Sequence, residues 1–143
     1  MFRKVTDSLF VSPQIGTAEI EAAKQLGVRL IVNNRPEEES ADQTPGDEIE
    51  AATRALGMDY VAIPVTHAGF SQWQVQAMAD ALARAQGPVL AYCRSGTRST
   101  LLWALAEASG GGDPDTIAAK AAAAGYDITP IRDAVDMLAA SRT

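Results

Sequence analysis

Apolar runs of strand length and stretches of helical apolar spacing alternate along this chain as far as Cys93. Ser8 to Gln14 reads as a short strand that Pro13 ends. Thr17 then suits an N-cap, Ile20, Ala23 and Leu26 follow in helical spacing, and Gly27 suits the position after a helix. Val28 to Val32 is β-branched and apolar, the pattern of a buried second strand. Asn33-Asn34-Arg35-Pro36 ends it, and Glu37 to Gln43 forms a long acidic loop of the kind that is often functional. Thr44-Pro45 opens the next helix, with Thr44 as N-cap and proline in the first turn, and Gly57 closes it. Tyr60 to Val65 is the third strand. Ser71 with Gln74 matches a capping box and Phe70 with Val75 a hydrophobic staple. The helix they start runs to about Gln86, with Val75, Met78, Leu82 and Ala85 on one face. Pro88 to Tyr92 is the fourth strand.

Beyond Cys93 the pattern is helical only. Ser99 to Ser109 is one helix, with Leu101, Leu105 and Ala108 on a face. Asp113-Pro114 caps an alanine-rich helix that Gly125 ends, and Thr129-Pro130 caps a third with Ile131, Val135 and Leu138 apolar. Gly27, Gly57 and Gly87 lie thirty residues apart, but no side-chain pattern recurs between them. The interval is the length of a helix–turn–strand unit. Strands alternating with helices predict an α/β fold with a parallel sheet and right-handed crossovers.

The 143 residues suffice for one domain, 1–143, and 47% hydrophobic residues suffice for its core. A net charge of −6 argues against nucleic acid or an anionic membrane as partner, and no apolar run reaches membrane-spanning length. Met1 to Asp7 carries charges too early for a secretory signal, so a cytoplasmic location is expected. One cysteine excludes an internal disulfide. One histidine, His67, leaves no Cys/His metal set, and no cofactor is expected.

In a parallel α/β sheet, ligands bind at the carboxyl ends of the strands. That edge gathers Pro13-Gln14, Asn33-Asn34-Arg35, Thr66-His67 and Cys93-Arg94-Ser95-Gly96-Thr97-Arg98-Ser99, whereas Asp59 starts its strand and belongs to the far edge. A lone cysteine after an apolar run is most often a small buried hydrophobe. Here Arg94 and Arg98 flank it, Gly96 frees the backbone, and Ser99 can start a helix whose N-terminus faces the sulfur. Helix N-termini and arginines attract anions and favour thiolate over thiol. Cys93 is therefore a candidate nucleophile, with Arg94, Ser95, Gly96 and Thr97 as candidate anion-binding residues. His67 and Arg35 are weaker candidates for substrate contact, and Trp73 and Trp103 are expected to pack.

The loop resembles the anion-binding loop shared by cysteine phosphatases and rhodaneses. Leu9 to Gln14, Ile31 to Pro36 and Tyr60 to Val65 resemble dual-specificity-type phosphatases. Residues 3 to about 138 together resemble DUF442, the phosphatase-like domain of beta-lactamase hydrolase-like proteins. The resemblance implies a cysteine-phosphatase-like three-layer fold with a central, mainly parallel sheet of four to five strands flanked by helices. It also implies that Cys93 is the nucleophile, that Arg98 and the loop amides hold the anion, and that Ser99 hydrogen-bonds the sulfur.

Two departures bear on the reaction. Cysteine phosphatases place five residues between cysteine and arginine, whereas here there are four, Arg94 to Thr97, the rhodanese spacing. A shorter loop makes a smaller ring of amides. Hydrolysis of a phosphate ester also needs an acid for the leaving oxygen, and Thr66-His67-Ala68-Gly69-Phe70 carries no carboxylate, which leaves Glu37, Glu38, Glu39, Asp42 or His67. Sulfur transfer from thiosulfate expels sulfite and needs no acid. The leading expectation is thus a sulfurtransferase acting through a Cys93 persulfide on thiosulfate or a persulfide, in sulfide metabolism. The alternatives are a phosphatase acting on a phosphate ester through a cysteinyl-phosphate, and a non-catalytic phosphate- or sulfate-binding module. The resemblance also implies, as a separate partner, a metalloenzyme that oxidises persulfides.

Overall fold

A computed structural model describes residues 2–141. Five strands form one sheet in the order β1-β2-β5-β3-β4: β1 is Arg3–Thr6, β2 Leu9–Ser12, β3 Leu30–Asn33, β4 Asp59–Ala62 and β5 Val89–Tyr92. β1 pairs antiparallel with β2, and the other pairs are parallel. β5 lies at the centre, with Leu90 level with Phe10 of β2 on one side and Ile31 of β3 on the other. All four of its residues are buried, as expected of a parallel strand covered on both faces.

The predicted strands are present, and the mainly parallel three-layer architecture is as expected. Alternation along the strands sorts the core into two halves. Leu30, Val32, Val89 and Ala91 face a cluster that includes Met78, Leu102, Trp103, Ile117 and Val135. Ile31, Leu90 and Tyr92 face a second with Ile20, Ala23 and Ile49. Helices α1 (Thr17–Gln25) and α2 (Gly46–Ala55) therefore cover one face. The other face is covered by α3 (Gln72–Arg84), α4 (Thr97–Ser109), α5 (Pro114–Ala123) and α6 (Arg132–Ser141).

Several expectations shift. β1 was not anticipated, because Arg3-Lys4-Val5-Thr6 has one buried side chain and two exposed charges, the dress of an edge strand. α1 and α2 begin with Gly16 and Pro45 at the N-cap, one residue from the expected Thr17 and Thr44. α3 starts at Ser71 as its sequence predicts, with Ser71 N donating to Gln74 Oε1 at 2.8 Å, but it ends at Arg84 rather than near Gln86. Asp113 caps α5 by accepting from Thr116 N at 2.9 Å. α4 is more buried than its one predicted apolar face implies: Leu101 to Ala106 are all buried, so α4 is the central helix of its layer. Trp103 packs there, whereas Trp73 is 56% exposed, contrary to expectation. Among the described residues, no helix is long and apolar enough to cross a membrane.

Candidate active site

Because β5 is central, Cys93 leaves the sheet at the middle of its carboxyl edge, fully buried. Its N–H donates to Ser12 O of the neighbouring strand at 3.4 Å. The chain then turns back so that Gly96 N donates to Cys93 Sγ at 3.1 Å. The turn needs φ of +92° at Gly96, which an L side chain rarely adopts. It also needs room, because the phenol of Tyr126 lies where a Cβ would go. Gly96 is thereby the N-cap of α4, which begins at Thr97, two residues before the start expected at Ser99.

The loop is pinned on several sides. Gln14 N donates to Arg94 O at 3.3 Å, Tyr126 Oη to Ser95 O at 3.1 Å, and Thr100 Oγ1 to Gly96 O at 2.9 Å. The Ser95 and Thr97 hydroxyls lie 3.0 Å apart in hydrogen-bonding contact. The amide and helix-dipole field at the start of α4 thus points towards the sulfur.

The acidic loop closes over the other side. Glu39 takes the Arg98 guanidinium end-on, Nη1 to Oε2 at 2.7 Å and Nη2 to Oε1 at 2.8 Å. Arg98 Nη1 also donates to Val65 O at 2.7 Å. Arg35 reaches the same carboxylate, Nε to Oε1 at 2.9 Å. Its Nη1 and Nη2 donate to Gln14 Oε1 at 2.9 Å and Ser40 Oγ at 3.1 Å. These hydrogen bonds tie together three of the four segments expected at this edge, through Gln14, Arg35 and Arg98, and reach Val65 just before the fourth. The hydrogen bond from Arg98, reinforced by Arg35, holds the Glu39 carboxyl at a pKa of about 2. Glu39 in turn raises the pKa of Arg98, and Cys93 acts in the same direction.

The structure brings Cys93, Gly96 and Arg98 together and treats the other predicted residues differently. Arg35 is 4% exposed and spends its three nitrogens on Glu39, Gln14 and Ser40, so it braces the site from behind. His67 and Arg94 are exposed, with no side-chain hydrogen bond among the described residues. The hydrogen bond from Ser99 to the sulfur that the resemblance implies is not made. Ser99 lies inside the first turn of α4 rather than at its cap, and its Oγ is buried with no partner among the described residues.

The proposed acids also sort themselves. Glu39 is ionised, Glu37 caps α2 by accepting from Gly46 N at 2.8 Å, and Ser40 lowers the pKa of Asp42. Sequence reasoning missed the parts played by Tyr126, Gln14 and Glu39. Glu39 sits in a run that reads as a solvated acidic face, and nothing near Tyr126 marks it except the turn glycine Gly125.

The profile of the family described as "Beta-lactamase hydrolase-like protein, phosphatase-like domain" matches residues 1–110. A beta-lactamase hydrolase-like protein of Xylella fastidiosa is 34% identical over 125 residues, which cover 87% of this chain. The match spans only 29% of that relative's length. A solved structure from Neisseria meningitidis, named there as a candidate phosphatase, is 34% identical with a TM-score of 0.83 and covers 95% of this chain and 96% of its own. The core catalytic domain of the PP-IP phosphatase SIW14 from S. cerevisiae shares the fold at 13% identity, with a TM-score of 0.71 over 95% of this chain and 83% of its own. The likeness is to phosphatase-like proteins throughout, and none of these relatives carries the sulfurtransferase expectation.

Proposed function

The chain belongs to the family of the beta-lactamase hydrolase-like protein, phosphatase-like domain, and from that membership we propose that it is a cysteine-dependent phosphatase acting on a small phosphate ester. The observation that carries the reading is Gly96 N donating to Cys93 Sγ at the start of α4, which sets a nucleophile in a ring of anion-seeking amides. In the first step Cys93 Sγ forms a bond to phosphorus while the bond from phosphorus to the leaving oxygen breaks. In the second, water attacks phosphorus, the sulfur–phosphorus bond breaks, and thiolate and inorganic phosphate are released. The side of the Arg98 guanidinium turned away from Glu39, together with amides of the Cys93 loop, would hold the phosphoryl oxygens.

Glu39 is held ionised and is no proton donor. With Glu39 excluded, Glu38 and His67 are the candidate acids left, and the favoured substrates are those whose leaving group departs readily without a proton, such as an aryl phosphate or a phosphoanhydride. The region 1–143 acts in this reading as one domain.

A second reading, sulfur transfer, is favoured by the four-residue spacing between Cys93 and Arg98, and it needs no acid at the Glu39 position. There the sulfur–sulfur bond of thiosulfate breaks, sulfite leaves, and Cys93 carries a persulfide whose outer sulfur passes to a thiophilic acceptor. One experiment separates the two. The protein is assayed for phosphate release from an aryl phosphate and for thiocyanate release from thiosulfate plus cyanide. Phosphate release that Cys93→Ser abolishes supports the first reading. Thiocyanate release without phosphate release replaces it with the second. Neither activity leaves the non-catalytic anion-binding module.

A further inference from the structure

We infer that Tyr126 is a positioning residue for the nucleophile: through one peptide unit, its hydroxyl aims the Gly96 N–H at Cys93 Sγ. The role rests on the reading of Cys93 as a nucleophile in an anion-binding loop. The Ser95–Gly96 peptide is trans, and a trans peptide is a planar unit whose C=O and N–H point in opposite directions. Tyr126 Oη donates to Ser95 O at 3.1 Å on one side of it, and Gly96 N donates to Cys93 Sγ at 3.1 Å on the other. The two hydrogen bonds share one rigid unit, so fixing the carbonyl end fixes the amide end. A carbonyl that accepts a hydrogen bond also polarises its own amide, which strengthens the N–H as a donor.

The unit needs such a hold because it ends in glycine. The φ of +92° at Gly96 closes the turn, yet glycine takes either sign of φ at little cost, so the peptide before it can rotate. Rotation would turn Ser95 O towards the sulfur and the Gly96 N–H away, replacing a donor with a partial negative charge. The carbonyls on either side have donors close by: Arg94 O accepts from Gln14 N at 3.3 Å, and Gly96 O from Thr100 Oγ1 at 2.9 Å. For Ser95 O the donor is a side chain 31 positions away. That side chain is itself fixed. Tyr126 N donates to Ala121 O at 2.9 Å across the turn that ends α5. Arg3 Nη1, from β1, donates to Ala124 O at 3.2 Å and ties the same turn to the edge of the sheet. The phenol fills the space that a Cβ at Gly96 would need, so hydroxyl, glycine and sulfur form one arrangement.

The test compares wild type with Tyr126→Phe, which keeps the ring and removes only the donor. Nuclear magnetic resonance follows two glycine amides of α4. Gly96 lies at its start, and Gly111, whose N donates to Ala108 O at 2.9 Å, lies just past its end. In Tyr126→Phe the Gly96 amide proton is expected to move upfield and to exchange faster, with Gly111 unchanged. Alkylation of Cys93 by iodoacetamide at one fixed pH is expected to slow by about threefold, the effect of one modest hydrogen bond. An unchanged Gly96 amide or an unchanged alkylation rate overturns the proposal. Loosening of both glycines together also overturns it, because that marks a role in the fold alone. Should Tyr126→Phe not fold, wild type still decides: a Gly96 amide that exchanges like an exposed one overturns the proposal, and a protected one sustains it. A shifted Gly96 amide with slowed alkylation, in a protein that releases no phosphate from an aryl phosphate, leaves the Tyr126 role intact and sinks the phosphatase reading. Phosphate release with an unchanged Gly96 amide does the reverse.

Discussion

Gly96 donates its backbone N–H to Cys93 Sγ at 3.1 Å, across a turn that only a left-handed residue closes. Three features converge on it: the central strand that delivers Cys93, the φ of +92° at Gly96, and the Tyr126 phenol packed over that glycine. Tyr126 also donates to Ser95 O, so the ring that occupies the space of a side chain supports the loop as well.

Gly96→Ala strains this turn twice, through φ and through Tyr126. Left-handed backbone costs an L residue about 1–2 kcal/mol, and for a chain of this size 1 kcal/mol moves the melting midpoint by about 2–4 °C. Calorimetry is expected to show Gly96→Ala melting at least about 4 °C below wild type, with activity reduced because the amide leaves the sulfur. An unchanged midpoint means that the turn has another conformation in solution.

Cys93→Ser removes the nucleophile. Loss of a catalytic nucleophile lowers turnover by roughly 10⁴-fold or more. Steady-state assays of the variant are expected to fall to background, while inorganic phosphate still binds by calorimetry, because the amides and Arg98 remain. Appreciable residual turnover places the chemistry elsewhere.

Ser99 Oγ is buried without a hydrogen-bond partner among the described residues. An unsatisfied buried hydroxyl destabilises a fold by about 1–3 kcal/mol. Ser99→Ala is therefore expected to melt higher than wild type by about 2–4 °C or more. Its turnover is expected to fall at least tenfold if the hydroxyl is kept for the sulfur during reaction. A variant both less stable and equally active shows that the hydroxyl is bonded in solution and serves the fold.

The Glu39 carboxyl, held at a pKa of about 2 against an ordinary 4.5, sets a pH dependence with a definite sign. The folded state binds the proton less readily than the unfolded chain, so the contribution is fully present above about pH 4.5. It is lost as pH falls towards 2. Melting midpoints from pH 7 to pH 2.5 are expected to fall more steeply for wild type than for Glu39→Gln across that window. The partly exposed, screened pair accounts for on the order of 1 kcal/mol of the difference. Parallel curves contradict the Arg98 clamp.

The strands that carry the site were legible because parallel strands buried on both faces read as plain apolar runs, as Val89 to Tyr92 and Leu30 to Val32 do. The cysteine loop was legible because its residue types are costly to explain as packing. β1 was not legible, since an edge strand with charged residues looks like any polar terminus. Glu39 was hidden for a related reason. An acidic run is usually solvated, and which of its carboxylates turns inward depends on where Arg35 and Arg98 meet in space, some sixty positions apart in sequence. Tyr126 contacts the loop from a turn beyond α5, a relationship fixed by helix packing and by no local pattern.

The covalent intermediate tests the central claim most directly. The protein is mixed with an aryl phosphate, quenched in acid within the first turnovers, and the peptide carrying Cys93 is weighed by mass spectrometry. The account predicts one phosphoryl group on Cys93, absent from Cys93→Ser. A peptide that never gains phosphoryl, yet gains one sulfur after exposure to thiosulfate, contradicts it.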